Sequence, residues 1–458
     1  MAILEHTIEN QVLSVQTVAI VLELHEQWVE SKEVKGKKAS FRNTTLHGAS
    51  LAGKKLQGVD FTGADLKGAS LAKANLDNAI FKDADLEGAN LDGATLIAAQ
   101  LSNCNLRKAN LVGSIWSDAD LSHAILTEAN LSNAELRRTM LNHADLKDSR
   151  LNQVDFRDAY MKHVNLEGAL MHGARLQHAA LSHARFHRTD LSSANLQDAI
   201  CPNAQFNEAK LKETILQDTN LADADLRQAQ GLMAWQLAGA KLLGAKLPTA
   251  IAKFEGLTMV DVLCTRARTL FLAITSGCLY SWITLANTAT GASSEPIVSV
   301  NLPIIATAVP IWIFNVMAPI VLIASYVWMN LYLQGLWDAL ARLPSIFPDG
   351  TLLYEKVRTW LPIDIIQLYM PMMKKQPEIL SNLEIGISII LVWWLVPITL
   401  LIFIWVNLPH QSQALSLCQF ALFALALSFA IGFRLLCKQA LKRDRLQSPR
   451  FKHVDDSE

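Results

Sequence analysis

The chain has almost no charge imbalance. Its 458 residues carry 41 Lys and Arg against 42 Asp and Glu, a formal net charge of −1. A non-specific nucleic-acid binder needs a basic field, and a DNA mimic needs a strongly negative one. Neither class fits. Charge of either sign is scarce at 18%, and aromatics stand at 7%, while 51% of the residues are hydrophobic. So much apolar side chain with so little charge excludes bulk disorder. Cysteine is also sparse. Cys104, Cys201, Cys264, Cys278, Cys418 and Cys437 form no C-x-x-C pair, which leaves neither a zinc site nor a disulfide framework. They read as small buried hydrophobes. Enzyme signatures such as GxxxxGK(S/T), HExxH and GxSxG are missing, so the chain is expected to be non-enzymatic and to hold no cofactor. The first residues do not read as a signal peptide, because Glu5, His6 and Glu9 stand where a basic region belongs.

What is present is a period of five. From Phe41 to Leu226 every fifth residue is large and apolar, 38 consecutive positions without an exception. Two residues before each sits a small one, Ala in 26 of the 38 cases, with Lys54 as the one long exception. A helix of 3.6 residues per turn would smear such a period around its axis, and a strand alternates with a period of two. A coil built from short extended sides satisfies it. Residues two apart point the same way, so the small and the large residue both face inward. The next two turn the corner, where Gly, Asn and Asp recur. Four sides close a coil of twenty residues. After Leu226 one inserted residue near Gly231 shifts the phase, and Leu232, Leu237, Leu242 and Leu247 continue it. Stretches such as ADLKGASLAKANLDNAIFKDADLEGANL resemble the pentapeptide-repeat family. That resemblance implies an all-β, right-handed quadrilateral β-helix over 39–250.

Such a rod needs covered ends. In residues 1–38, the segment 14–32 is expected to form a capping helix, with Val18, Val21, Leu22, Trp28 and Val29 on one face. A linker is expected at 251–268. Beyond it, four stretches contain no Asp, Glu, Lys, Arg or His: 269–288, 311–333, 385–407 and 415–433. Each is long enough to cross a bilayer as a helix, which predicts an α-helical four-span transmembrane domain over 269–437. The loops 289–310 and 408–414 contain no Lys or Arg, whereas basic residues flank the other ends. The positive-inside rule then puts the N-terminus, the β-helix, the loop 334–384 and the tail 438–458 in the cytoplasm, and the resemblance points to a bacterial inner membrane. Within the loop, Phe347–Gly350 (FPDG) reads as a turn.

Two outward features stand out. His123, His143, His163 and His183 are twenty residues apart and form one corner column, a set able to ligate a soft metal or to repel itself when protonated. Beside it the outward side positions read Met140, Tyr160, Ala180 and Ile200, four coils without charge, a candidate strip for a protein partner. The expected function is a membrane-anchored scaffold for an unidentified protein partner, with no nucleic acid. A channel or transporter with a regulatory β-helix is the alternative, though the spans carry no ionisable group of the kind ion coupling uses. Some relatives protect gyrase by DNA mimicry; here 22 basic against 23 acidic residues over 39–250 disfavour that role.

Overall fold

The computed structural model describes residues 15–32, 34–289, 299–301, 308–357, 386–408 and 413–441. The chain divides into two compact units, Met1–Phe254 with Pro344–Thr351, and Glu255–Leu343 with Leu352–Glu458.

The first unit is a solenoid. Outward residues twenty apart pair in parallel bridges, from Ser40↔Asp60 onward, and four bridge columns run along it. In a typical rung Leu141 N–H donates to Tyr160 O at 2.7 Å and Tyr160 N–H to Thr139 O at 2.9 Å. The corner closes on itself: Ala144 N–H donates to Leu141 O at 3.1 Å. The residue before it must then adopt a positive φ, which is 61° for His143 and 63° for Gly63. Asn, Asp, His and Gly tolerate that region best, so the corners select for them. Outward Asp and Asn residues have a second task. Asp65 Oδ1 accepts the N–H of Lys67 at 3.1 Å, and Asn75 Oδ1 that of Asp77 at 3.1 Å. These local bonds explain the abundance of carboxylates without any acid–base chemistry.

Inside, the Leu column and the Ala column are almost wholly buried. Each Leu contributes roughly 2 kcal/mol from burial. Phe41, Phe61 and Phe81 stack at 5.4 and 4.9 Å. Polar intrusions are satisfied. Trp116 Nε1 donates to Ser114 Oγ at 2.6 Å, and the Thr189 hydroxyl to Leu166 O at 2.7 Å. Lys54 escapes the small-residue rule because its position in the first coil is exposed. The phase slip is a short 3₁₀ turn, Ala234–Leu237. After it, bridges span 21 residues, as in Asn220↔Lys241. Gln236 fills the break, its amide donating to Leu211 O at 2.8 Å and Thr214 O at 2.7 Å.

Helix α1 (Val15–Glu30) stands before the first coil. Its most buried residue is His25, which the apolar pattern did not select. His25 Nδ1 accepts the N–H of Ala39 at 3.1 Å, and Lys55 Nζ meets Glu30 at 2.6 Å. Burial and the nearby Lys38 ammonium lower the His25 pKa, against a raising contribution from the Gln57 backbone. Gly36 lets the chain double back, because a Cβ there would collide with Leu24 O.

The other end of the solenoid differs from expectation. Residues 344–351 leave the predicted loop 334–384 and pair as a further side. Leu242 N–H donates to Ile346 O and Gly244 N–H to Pro348 O, both at 2.9 Å. Lys241↔Ile346 extends a bridge column. Ser345 takes the small inward place and Phe347, 2% exposed, the large one. Phe254 packs edge-on against Phe347, with centroids 5.1 Å apart.

The second unit is helical: α2 (Gly256–Ala289), the strand pair β1 (Ser299–Asn301) and β2 (Ala308–Pro310), α3 (Ile311–Ala341), the single turn α4 (Leu353–Lys356), α5 (Gly386–Asn407) and α6 (Gln413–Leu441). Four of these helices are long and apolar enough to cross a membrane. Helices α2, α3 and α6 outrun the predicted spans, while α5 keeps to its own. The linker expected at 251–268 is helical from Gly256, because charges such as Asp261 and Arg266 end the apolar run without breaking the backbone. Helix α3 likewise continues past Leu333, so the loop begins after Ala341, and α6 takes the first residues of the expected tail. Residues 358–385 and 442–458 lie outside the described residues. Inside α5, Ile390–Trp394 form a π turn. Pro397 supplies no N–H to the carbonyl of Trp393 four residues back. The hydroxyl of Tyr326 on α3 donates there instead, at 3.1 Å. Further ties are Trp282 Nε1 to Thr399 Oγ1 at 3.1 Å and Asn315 Nδ2 to Asn407 Oδ1 at 3.0 Å.

Candidate partner-binding face

One bridge column carries Asp120, Met140, Tyr160, Ala180, Ile200 and Asn220 in succession. Met140 is 40% exposed, Tyr160 54% and Ile200 47%, and Ala180 is half-buried. The backbone holding them is fully paired, so the four side chains stand at fixed spacing, about 4.8 Å from rung to rung. The other columns also expose apolar residues, Ile125 and Leu170 among them, but these are bordered by charge: Asp145 follows Ile125, and Arg150 and Asp190 flank Leu170. Four consecutive rungs of Met, Tyr, Ala and Ile distinguish the Met140–Ile200 column from them, since the longest uncharged run elsewhere, Ser50 to Asn130, is made of Ser and Asn. One border is the bidentate ion pair of Arg138 with Asp118, at 2.7 and 2.6 Å.

The His column forms the other border. The rings of His123, His143, His163 and His183 stack at 4.9, 4.8 and 4.6 Å, with interplanar angles of 1°, 14° and 8°. All four are exposed. Parallel rings hold their nitrogen lone pairs in parallel planes, so no three converge on one point. Among the described residues no group of three or more His, Cys, Asp or Glu is arranged to hold a metal ion. The stack instead crowds like charges when protonated. Packing among its neighbours lowers the His163 pKa below the ordinary imidazole value, with further lowering from His183, His143, Lys162 and Arg185.

The most buried carboxylate of the solenoid stands on another column. Burial by itself would raise the Asp155 pKa. Hydrogen bonds from Arg157 at 2.7 Å and Arg137 at 2.8 Å outweigh it and hold the group at about 2. Arg175 stands 3.9 Å away. This cluster is an ion network that ties neighbouring coils together. Cys104 and Cys201 are completely enclosed, and burial pushes both thiols far up, which makes them inert. The sequence reading missed Ser345 and Phe347 as members of the solenoid. Their spacing, small then large two residues on, was the available signal, and one copy of it carries no periodicity.

The pentapeptide repeat region family matches residues 54–131 and 119–196, and pentapeptide repeats in eight copies match 189–228. Solved structures, among them pentapeptide repeat proteins, match part of the chain. HetL, involved in heterocyst differentiation regulation in the cyanobacterium Nostoc sp. strain PCC 7120, is 29% identical, covering 46% of this chain and 92% of its own, with a TM-score of 0.38. Rfr23 from the cyanobacterium Cyanothece 51142 is 24% identical over 25% of this chain and 89% of its own, with a TM-score of 0.19. QnrB1, a plasmid-mediated fluoroquinolone resistance protein, is 20% identical over 42% and 90%, with a TM-score of 0.21. No curated protein matches the chain. The solenoid is a pentapeptide-repeat domain. Through it the chain belongs to the pentapeptide-repeat family.

Proposed function

We propose that the protein is a non-enzymatic scaffold that presents its solenoid to a protein partner and is anchored by four membrane-spanning helices. The carrying observation is the Met140–Tyr160–Ala180–Ile200 column, apolar over four rungs on a rigid backbone. An interface core of this kind excludes water at little entropic cost, because the side chains are already fixed in register. Four bridge columns per coil support a quadrilateral cross-section, and the family resemblance supplies the right hand. Helix α1 serves as the N-terminal cap in this reading. The basic flanks of the apolar helices favour a cytoplasmic side for the solenoid and both termini, in a bacterial inner membrane. The near-neutral solenoid offers no field for DNA mimicry, and a conducting role gains no support from the uncharged apolar stretches.

A photoreactive residue at Tyr160 tests this in native membranes, with a control at the exposed Arg150, on a different bridge column. A discrete protein adduct at Tyr160 alone is the expected result. Equal labelling at both positions would remove the face-specific site.

A further inference from the structure

The helical unit contains a cavity of about 360 Å³. Its wall joins the π turn of α5 to the basic end of α6. Trp393 and Trp394 form one side; Ile431, Leu435, Arg434 and Lys438 form the other. Arg434 and Lys438 are four residues apart and share a helix face. Both are exposed, and neither has an ion pair among the described residues. Trp393 is 1% exposed, yet its indole Nε1 is buried without a hydrogen-bond partner. A buried donor left unpaired costs about 1–3 kcal/mol. The wall thus offers two cations beside apolar surface, and the described residues place no carboxylate on it.

The π turn makes this arrangement. It rotates the tryptophans out of the regular helical register, and the Tyr326 hydroxyl holds the Trp393 carbonyl at 3.1 Å. Asn330 Nδ2 in turn donates to Tyr326 O at 2.9 Å, and Trp337 packs edge-on against Trp393 at 6.4 Å. Trp393 is therefore braced from α3 while its N–H has no protein acceptor.

We infer that this cavity binds the phosphate of an anionic phospholipid headgroup. Arg434 and Lys438 would take the phosphate oxygens by charge-assisted hydrogen bonds. Ile431 and Leu435 continue the wall as apolar surface for the start of an acyl chain. Position favours a lipid over a soluble phosphate. Arg434 directly follows the apolar stretch 415–433, and tryptophans with basic side chains concentrate where hydrocarbon meets headgroups. The inference rests on the helices crossing a bilayer. Generic snorkelling would also place Arg434 and Lys438 at that level, but it provides no cavity and no headgroup preference.

The test uses the full chain in lipid nanodiscs of phosphatidylglycerol or phosphatidylcholine, followed by native mass spectrometry of retained lipid. The wild type is expected to retain phosphatidylglycerol selectively. Arg434→Gln with Lys438→Gln is expected to weaken that retention about thirtyfold, the effect of two basic groups lost near an anionic phosphate. Equal retention of the two lipids by the wild type would overturn the inference, as would undiminished retention by the double variant. Displacement of bound phosphatidylglycerol by millimolar inorganic phosphate would assign the site to a soluble anion instead. Alkaline carbonate extraction of native membranes checks the anchoring separately: a chain released by carbonate would sink the spanning helices themselves, whatever the lipid result.

Discussion

The Ser345 hydroxyl donates to the carbonyl of Gly239 at 2.8 Å, although the two residues are 106 apart in the chain. The same oxygen reaches the Ala240 carbonyl at 3.1 Å. With Phe347 filling the inward position, 345–349 acts as a detached repeat that closes the last coil. Phe347→Ala is expected to cost about 3 kcal/mol locally, the usual effect of emptying a buried aromatic site. Hydrogen exchange should then accelerate at the amides of Leu242 and Gly244, which donate to this segment. Unchanged protection at those two amides would refute the closing role.

Corner chemistry predicts a selective response. His143 sits at a φ of 61°, where a β-branched side chain meets its own backbone. His143→Val is expected to destabilise the solenoid by about 2 kcal/mol, while His143→Asn stays near neutral. Thermal unfolding of the two variants beside the wild type separates them.

The His column gives the solenoid a pH response near neutrality. The folded-state pKa of His163 lies below its ordinary value of 6.5. Between those two values the unfolded chain binds more protons than the folded one, so stability rises with pH. The contribution is fully present above about pH 6.5 and is lost as pH falls through that value toward the folded pKa. A titration of the His163 ring proton by NMR should show a midpoint below 6.5.

Asp155 responds in a separate, more acidic window. Its folded value of about 2 lies below the ordinary 3.8. Its stabilising contribution is present above about pH 4 and disappears as pH falls through 2. Asp155→Asn is expected to cost about 2 kcal/mol at pH 7, because Arg137 and Arg157 lose a charged acceptor. At pH 2 the difference between variant and wild type should shrink to a small residue. A persistent gap there would show that packing, not charge, carries the effect.

Much of the solenoid was legible because its constraints are local. The inward column, the small residue two places earlier and the left-handed corner all fall within five residues, and stacking repeats the same demand at each rung. The sequence also placed Met140, Tyr160, Ala180 and Ile200 in one line, and His123, His143, His163 and His183 in another, since both follow from a coil of twenty. It was right about a C-terminal run of apolar helices. It set their ends too short, because it tracked where apolar side chains stop, whereas the backbone continues until something breaks it.

By itself the amino-acid order determined the period, the inward faces and the corners, since each depends only on near neighbours and on the sterics of φ. Tertiary structure alone decided the rest. Ser345 and Phe347 join the solenoid because the last coil leaves Leu242 and Gly244 N–H groups that need acceptors, and no rule of spacing records a partner so far along the chain. His25 is buried because Ala39 offers it a backbone N–H. The π turn at Ile390–Trp394 exists because Pro397 withholds a donor that Tyr326, on another helix, supplies. Hydrogen bonds between distant segments are satisfied in space, and the order of residues does not say which segments will meet.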